Sequence, residues 1–478
     1  MGSIGSTKLI QLISTFSKKE MNHFIEMVDS SYFNKNKALV KLANAINIEF
    51  ESIHKLDKSF LESKTGSINL NKDMSALLKL ADEFIVLLAI KKDKSRKELI
   101  RLSELNRRGV TRLFQSGVKS YKEKSAASKL KNSDVLLNDF LIEEECDKAF
   151  DKDNQAPFNQ SLQIKGQTLD AFYVLTKLKM YCEMMMRERL NNQTFEKTFY
   201  VEVQTFIEKQ EEQFKAYPSI HTYLELAELL RDDVDECKYQ SFYNSTTANI
   251  KSFPKEEAAN FVQHAINHCI RRTNSGFDYI ERLFEAMRFQ VENDFLVIDG
   301  TVHDRSYKNI IEVAIRSNET EWALQFLDNH IQYIKSDQTD MIYNYNLANI
   351  LLTRGDYKAV LRHLTFVNFK DVFYQLSCKA LLIKTFYELN DFLTVESSIV
   401  NFKSFIKREK SLPHIQRDMY LNFCGIILEL MKIGDKQKHT SQETLTIETR
   451  AVNDRISQYK YLADKYWLKT ICGDLTNP

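Results

Sequence analysis

Glycine and proline are scarce: 12 and 5 residues in a chain of 478, where ordinary usage would give about 12% of the two together. A sandwich, a barrel or a doubly wound sheet of this length needs a turn every few residues or a glycine-rich phosphate loop, and the chain has the residues for neither. Long apolar runs are also missing. The longest, Phe84 to Ile90, is seven residues between charged pairs, far short of the roughly 18 that a membrane span needs. Near the start, Leu9-Ile10 and Leu12-Ile13 are interrupted by Gln11, so no signal-peptide core forms; Met1-Gly2 with Ser6 fits the myristoylation pattern, although a short Gly/Ser leader is the far more frequent reason for such a start. The seven cysteines contain no Cys-x-x-Cys pair, which argues against a disulfide framework or a structural zinc site and for a reducing, cytoplasmic setting. Net charge is only +1, so no bulk field drives the chain toward nucleic acid or an anionic membrane.

What is present is helical punctuation, and the expectation is an all-α protein. Ser17-Lys18-Lys19-Glu20 is a capping box, followed by Met21, Phe24, Ile25 and Val28 on one helical face. Asn34 or Asn36 caps a second helix with Leu39, Leu42, Ala43 and Ile46. Ser95 with Glu98, and Thr440 with Glu443, read as further capping boxes, and Gly109 as a left-handed C-terminal cap. Residues 60–73 read as a surface loop. Breaks are expected near Pro157, at Phe253-Pro254 and at Asp299-Gly300. They divide the chain into an N-terminal helical domain (1–155), a middle helical segment (156–300), a repeat region (301–439) and a capping helix (440–478), with Trp467 of the last packed near Phe423 or Leu428.

The repeat region rests on spacing. Gly355-Asp356-Tyr357 and Asn390-Asp391-Phe392 each separate two apolar helical faces and lie 35 residues apart; Asn318 precedes Trp322 one step earlier, 37 residues upstream, and Gly434-Asp435 lies 44 residues on. This pattern resembles degenerate tetratricopeptide repeats, although Val360 and Val395 stand where those repeats carry a small residue and the closing proline is missing. The resemblance implies an α-solenoid of stacked antiparallel helix pairs, with Tyr357 and Phe392 equivalent and buried. Separately, Ser17-Lys18-Lys19-Glu20 followed by Ser31-Tyr32-Phe33-Asn34-Lys35-Asn36-Lys37 resembles the start of large helical proteins of Bacteroidota, a likeness that brings no activity with it.

Chemistry-bearing clusters are few. Lys91 to Lys131 holds fourteen basic residues, Arg107, Arg108 and Arg112 among them, against four acidic ones. With Phe114 and Tyr121 interleaved, the segment could contact phosphates and bases. However, Leu113, Phe114, Val118 and Tyr121 also form a helical stripe suited to burial, and the acidic block 133–153 that follows can pair with it. A solvated helix face is therefore the first reading, with an acidic partner or nucleic acid as alternatives. Glu225, Glu228, Asp232 and Asp235 share helical spacing and could form an acidic ridge for a partner. His264 and His268 stand one turn apart, as two metal ligands would, but position 265 is Ala rather than the glutamate a zinc protease needs. No nucleophile elbow is present. No catalytic residue, cofactor or membrane contact is assigned. The expected function is a cytoplasmic, non-catalytic scaffold that holds a protein or peptide, with a nucleic-acid-associated protein and an enzyme of unrecognised type as the rivals.

Overall fold

The structure is a computed structural model that describes residues 4–128, 132–153, 160–191, 194–232, 235–436 and 441–476. The break expected at Pro157 lies outside those residues. Among them the chain is all-α: there is no strand, and the one β-bridge joins Ile298 to Thr301 across the Asp299-Gly300 turn. The helices gather into two compact units, Met1–Ala227 with Lys251–Phe253, and Glu228–Ile250 with Pro254–Pro478.

The first unit begins as its caps dictate. Ser17 and Glu20 close a reciprocal capping box at the head of Lys18–Asp29, and the Asn36 side chain accepts from Ala38 N–H at the head of Lys37–Ile48. Both helices pack with Leu70–Lys92 over a core in which Phe16, Phe24 and Phe84 meet at centroid distances of 5.3 to 5.8 Å. The region 60–73 is mostly helical, contrary to the loop expected there. Lys58–Thr65 ends on Gly66 at φ +62°, and Leu70–Lys92 starts four residues later under Asn69, so polar composition alone misread a helix with a single left-handed stop.

The Ser95 capping box also fails. Asp93, two residues earlier, caps Lys94–Arg107 by accepting from Arg96 N–H, while Glu98 turns instead to Arg101. Gly109 does hold a left-handed conformation, at φ +70°. Helices Lys94–Arg107, Thr111–Ala127 and Ser133–Asp153 share a small core of Leu102, Phe114 and Ile142. Here Gly117 permits close approach, since a Cβ on it would fall 2.5 Å from Leu102 Cδ2.

In the second unit each helix packs on the next in sequence, from Glu236–Asn249 to Lys465–Thr476. Alternate helices also touch: Asp304–Arg316 with Thr339–Thr353, Thr339–Thr353 with Val372–Glu388, and His414–Lys436 with Lys465–Thr476. Five chain reversals use one device, the first two at Gly276 and Asp294. At the other three Asn318, Gly355 and Asn390 sit at φ +59°, +76° and +57°, and the N–H of the next residue reaches back to the carbonyl five positions earlier, at 2.9, 3.1 and 3.0 Å. This is the Schellman closure, which satisfies helix-end carbonyls that would otherwise be orphaned. In the reversals at Gly355 and Asn390 the next residue is aspartate, whose carboxylate then caps the following helix by accepting from Ala359 or Thr394 N–H. One dipeptide thus ends one helix and begins another.

Gly434 makes no such turn; it lies inside His414–Lys436, because neither neighbour supplies a stop. Tyr357 and Phe392 are equivalent in position but only half-buried, since the first turn of a helix lies at the edge of its packing face. The C-terminal segment is two helices rather than one, Gln442–Gln458 and Lys465–Thr476, and Ser441, not Thr440, caps the first by accepting from Thr444 N–H; Thr440 itself lies outside the described residues. Trp467 meets Phe423 as expected, at 6.2 Å, and donates to Glu388 Oε1 at 2.7 Å.

The turn device predicts opposite effects at equivalent positions. Gly355→Ala should destabilise by about 1 kcal/mol, because a Cβ is strained at positive φ, whereas Asn390→Gly should be neutral or slightly stabilising; denaturant melts of both variants check this. Leu468, Ile471 and Cys472 are buried against Ile427 and Leu430. Deleting 441–478 should therefore lower the melting temperature and promote aggregation, measured by calorimetry and light scattering.

Candidate functional site

Side chains of four helices converge on one face of the second unit. Lys308 on Asp304–Arg316 donates to Ser377 Oγ on Val372–Glu388 at 2.8 Å. Its ammonium lies over the rings of Tyr345, on Thr339–Thr353, and Tyr374 at 5.2 and 5.4 Å. Ser377 Oγ is in turn 3.4 Å from Tyr420 Oη on His414–Lys436. The two rings Tyr345 and Tyr374 meet edge-on at 5.7 Å, and Phe369 stacks on Tyr374 at 4.3 Å.

At the margins, Arg305 lies over Phe373 and Lys379 over Phe405, each at just over 5 Å. Among the described residues no carboxylate comes within ion-pair distance of Arg305, Lys308 or Lys379, so their charge is offset by π-faces and a hydroxyl. Burial pushes the phenols of Tyr345, Tyr374 and Tyr420 well above their usual range. They therefore remain neutral and bring no negative charge to the cations. Farther along, Lys384 pairs with Asp464 at 2.6 Å, and Glu388 joins Trp467 to Tyr357.

The sequence did not single out this face. Its signal lay in the register: Lys308 and Tyr345 each stand ten residues before a left-handed turn residue, Asn318 and Gly355, and Ala380 stands ten before Asn390.

The residues the sequence did single out are dispersed. Arg107 and Arg108 both bind Glu104, at 2.6 Å, and these guanidiniums hold the Glu104 carboxyl down at about 2. Arg112 is exposed without a carboxylate partner among the described residues, as are Lys91, Lys94, Arg96, Lys97, Lys119 and Lys124. Phe114 is buried, and Tyr121 gives its hydroxyl to Asp139 at 2.9 Å, so neither ring is presented for stacking. Leu113 departs from the expected stripe and is 56% exposed. The neighbouring acidic block does meet the basic one, through Lys122 and Glu143 at 2.7 Å.

The acidic ridge is not a single helical face. Helix Pro218–Arg231 ends before Asp232, and Asp235 caps the next helix. Glu228 is taken by Arg231 and Lys238, Asp232 by Lys238, and Glu225 is half-buried. His268 is fully buried, stacked on Tyr239 at 5.0 Å and set against Tyr279 at 5.7 Å. It packs as an aromatic member of the core. His264 is half-buried, and among the described residues no three His, Cys, Asp or Glu side chains are grouped to hold a metal.

No protein-family model, curated protein or solved structure matches this chain. The site therefore has to be read from its own chemistry.

Burial pushes the thiols of Cys378 and Cys424 up to about 12 and those of Cys146, Cys269 and Cys472 to about 11, and it raises Cys182 as well. At pH 8 a thiol with a pKa near 11 holds only about one part in a thousand of reactive thiolate. Cys237 alone is exposed. Titration of the native protein with a chromogenic disulfide should thus give one fast thiol, lost in Cys237→Ser, with the rest released only on unfolding. For the raised thiols, reactivity should climb as pH rises toward 11.

Proposed function

We propose that the second unit is an α-solenoid of stacked helix pairs on a degenerate tetratricopeptide-like plan, and that the protein is a non-catalytic cytoplasmic scaffold whose concave face holds a segment of a partner protein. One contact carries this reading. Packed helix axes stand about 8–10 Å apart, so in a flat row the first and third helices would be separated by more than a lysine side chain can bridge. Lys308 nevertheless reaches Ser377 from the first of three alternate helices to the third, passing over the Tyr345 ring of the second. A row that curls toward this face accounts for the contact.

A curled row gives a surface recessed on one side and built from rigid helices. Arg305, Phe373 and Lys379 at its margins offer cations and exposed ring surface, with no carboxylate within ion-pair distance of either cation among the described residues. Aromatic and arginine side chains are the residue types that carry most of the energy in protein interfaces. The turns support the same plan, because the same Schellman closure recurs at 318, 355 and 390, at a spacing of 37 and 35 residues. Chain segments held on such a face need no acid, base or nucleophile. The neutral tyrosines and high-pKa thiols around it suit binding better than chemistry.

The test is affinity purification of the tagged full chain from its native cell, beside an Arg305→Glu/Lys379→Glu variant. A partner retained in near-stoichiometric amount by the parent, and reduced at least tenfold by the variant at unchanged melting temperature, is the expected result. Equal retention by both proteins, or no stoichiometric partner, would overturn the reading.

A further inference from the structure

The first unit carries a groove that neither the helix array nor the basic segment uses. It is about 890 Å³ in volume and runs between the 30–36 loop and helix Leu70–Lys92. Phe33, Leu39, Ala76 and Leu80 supply an apolar floor, and Lys35, Lys72 and Lys79 stand along its sides with Glu83 at one end. All three lysines are exposed, and among the described residues none has a carboxylate within ion-pair distance. Next to Phe33 in the chain, Tyr32 is 87% exposed and packs edge-on against the Phe33 ring at 5.0 Å.

This wall is built before any ligand arrives. Asn34 donates to the carbonyls of Val28 and Asn36, at 2.9 and 3.0 Å, and accepts from Asn36 N–H at 2.8 Å. The loop is therefore pinned at both ends by one side chain. A preformed wall lowers the ordering cost of binding.

We infer that this groove is a docking site for a short acidic segment of a partner protein that also carries apolar side chains. The inference does not depend on the scaffold reading of the second unit, because every residue in it belongs to the first. Charge decides the sign of the occupant: three unpaired ammonium groups face one carboxylate. The floor decides its class, since Phe33, Leu39, Ala76 and Leu80 gain from covering by apolar side chains, which a sugar-phosphate backbone does not bring. Length follows from the helix. Lys72 to Glu83 is eleven residues at about 1.5 Å each, or roughly 16 Å, which spans about five residues of extended chain at about 3.3 Å each. Acidic side chains would lie toward Lys72 and Lys79, and the end beside Glu83 would take a neutral or basic residue. The exposed Tyr32 ring, packed against Phe33, would extend that apolar floor.

A random heptapeptide display library selected on the full chain tests this, with counter-selection on a Lys72→Glu/Lys79→Glu variant. Both substitutions are on exposed side chains, and circular dichroism and melting are measured to show that the variant folds. The expected result is enrichment of sequences bearing two or more Asp or Glu together with a large apolar residue. Synthetic versions should lose at least tenfold in affinity on the variant, severalfold on Tyr32→Ala, and further on raising salt. No enrichment, enriched peptides without net negative charge, or equal binding to parent and variant would overturn the proposal. So would a single-stranded DNA oligonucleotide that bound the parent more tightly than the selected peptides and lost its affinity in the same variant. The scaffold test uses substitutions in the other unit, so either reading can fail while the other stands.

Discussion

The second unit depends on a single backbone constraint: at each of five reversals one residue must hold a positive φ so that the next N–H can turn back onto the helix just ended. The closure satisfies carbonyls that would otherwise face the next helix unpaired. It also fixes where that helix starts. With the following aspartate capping at two of them, 355 and 390, termination and initiation occur within two residues. At those turns the packing of one helix on the next follows from that economy, because a short connection leaves adjacent amphipathic helices no other surface to bury against.

The same economy explains where the unusual chemistry falls. Residues at one position of successive helix pairs come side by side, so a cation at that position in one pair and an aromatic in the next meet without any long-range design. Lys308 and Tyr345 are such a pair. A π-face offsets a cation less than a carboxylate would. Interior carboxylates elsewhere are taken: Asp464 by Lys384, Glu388 by Trp467 and Tyr357. The cationic character of the face therefore arises from the distribution of acids as much as from that of lysines and arginines.

Some features were legible because they are local. A capping serine with a glutamate three residues on acts within one turn, and the box at Ser17 is where the pattern placed it. Where a competing local partner existed, the reading shifted: Asp93 outcompeted Ser95 for the cap, since a carboxylate satisfies helix N–H groups at least as well as a hydroxyl does. Gly434-Asp435 shows the converse. The dipeptide that turns the chain at 355 continues a helix at 434, so the motif has force only where the surrounding helix has already run out of face to bury. His264 and His268 have the spacing of metal ligands, and only the arrival of Tyr239 and Tyr279 beside His268 gives that residue its place in an aromatic core.

By itself the sequence determined the helical class and the positions of its principal turns. Scarcity of glycine and proline limits how often a chain can reverse, and at 109, 318, 355 and 390 a residue tolerant of the left-handed conformation marks the turn, whereas Gly434 does not. Tertiary structure alone decided which charges are left over. Lys122 is met by Glu143 from the next helix, whereas Arg112, ten residues earlier on the same helix, is exposed without a carboxylate partner among the described residues. The lysines of the first-unit groove and the cations around Tyr374 likewise acquire meaning only through what folding brings near them, because an ion pair or a π-contact forms across space while residue spacing fixes neighbours only along a single helix.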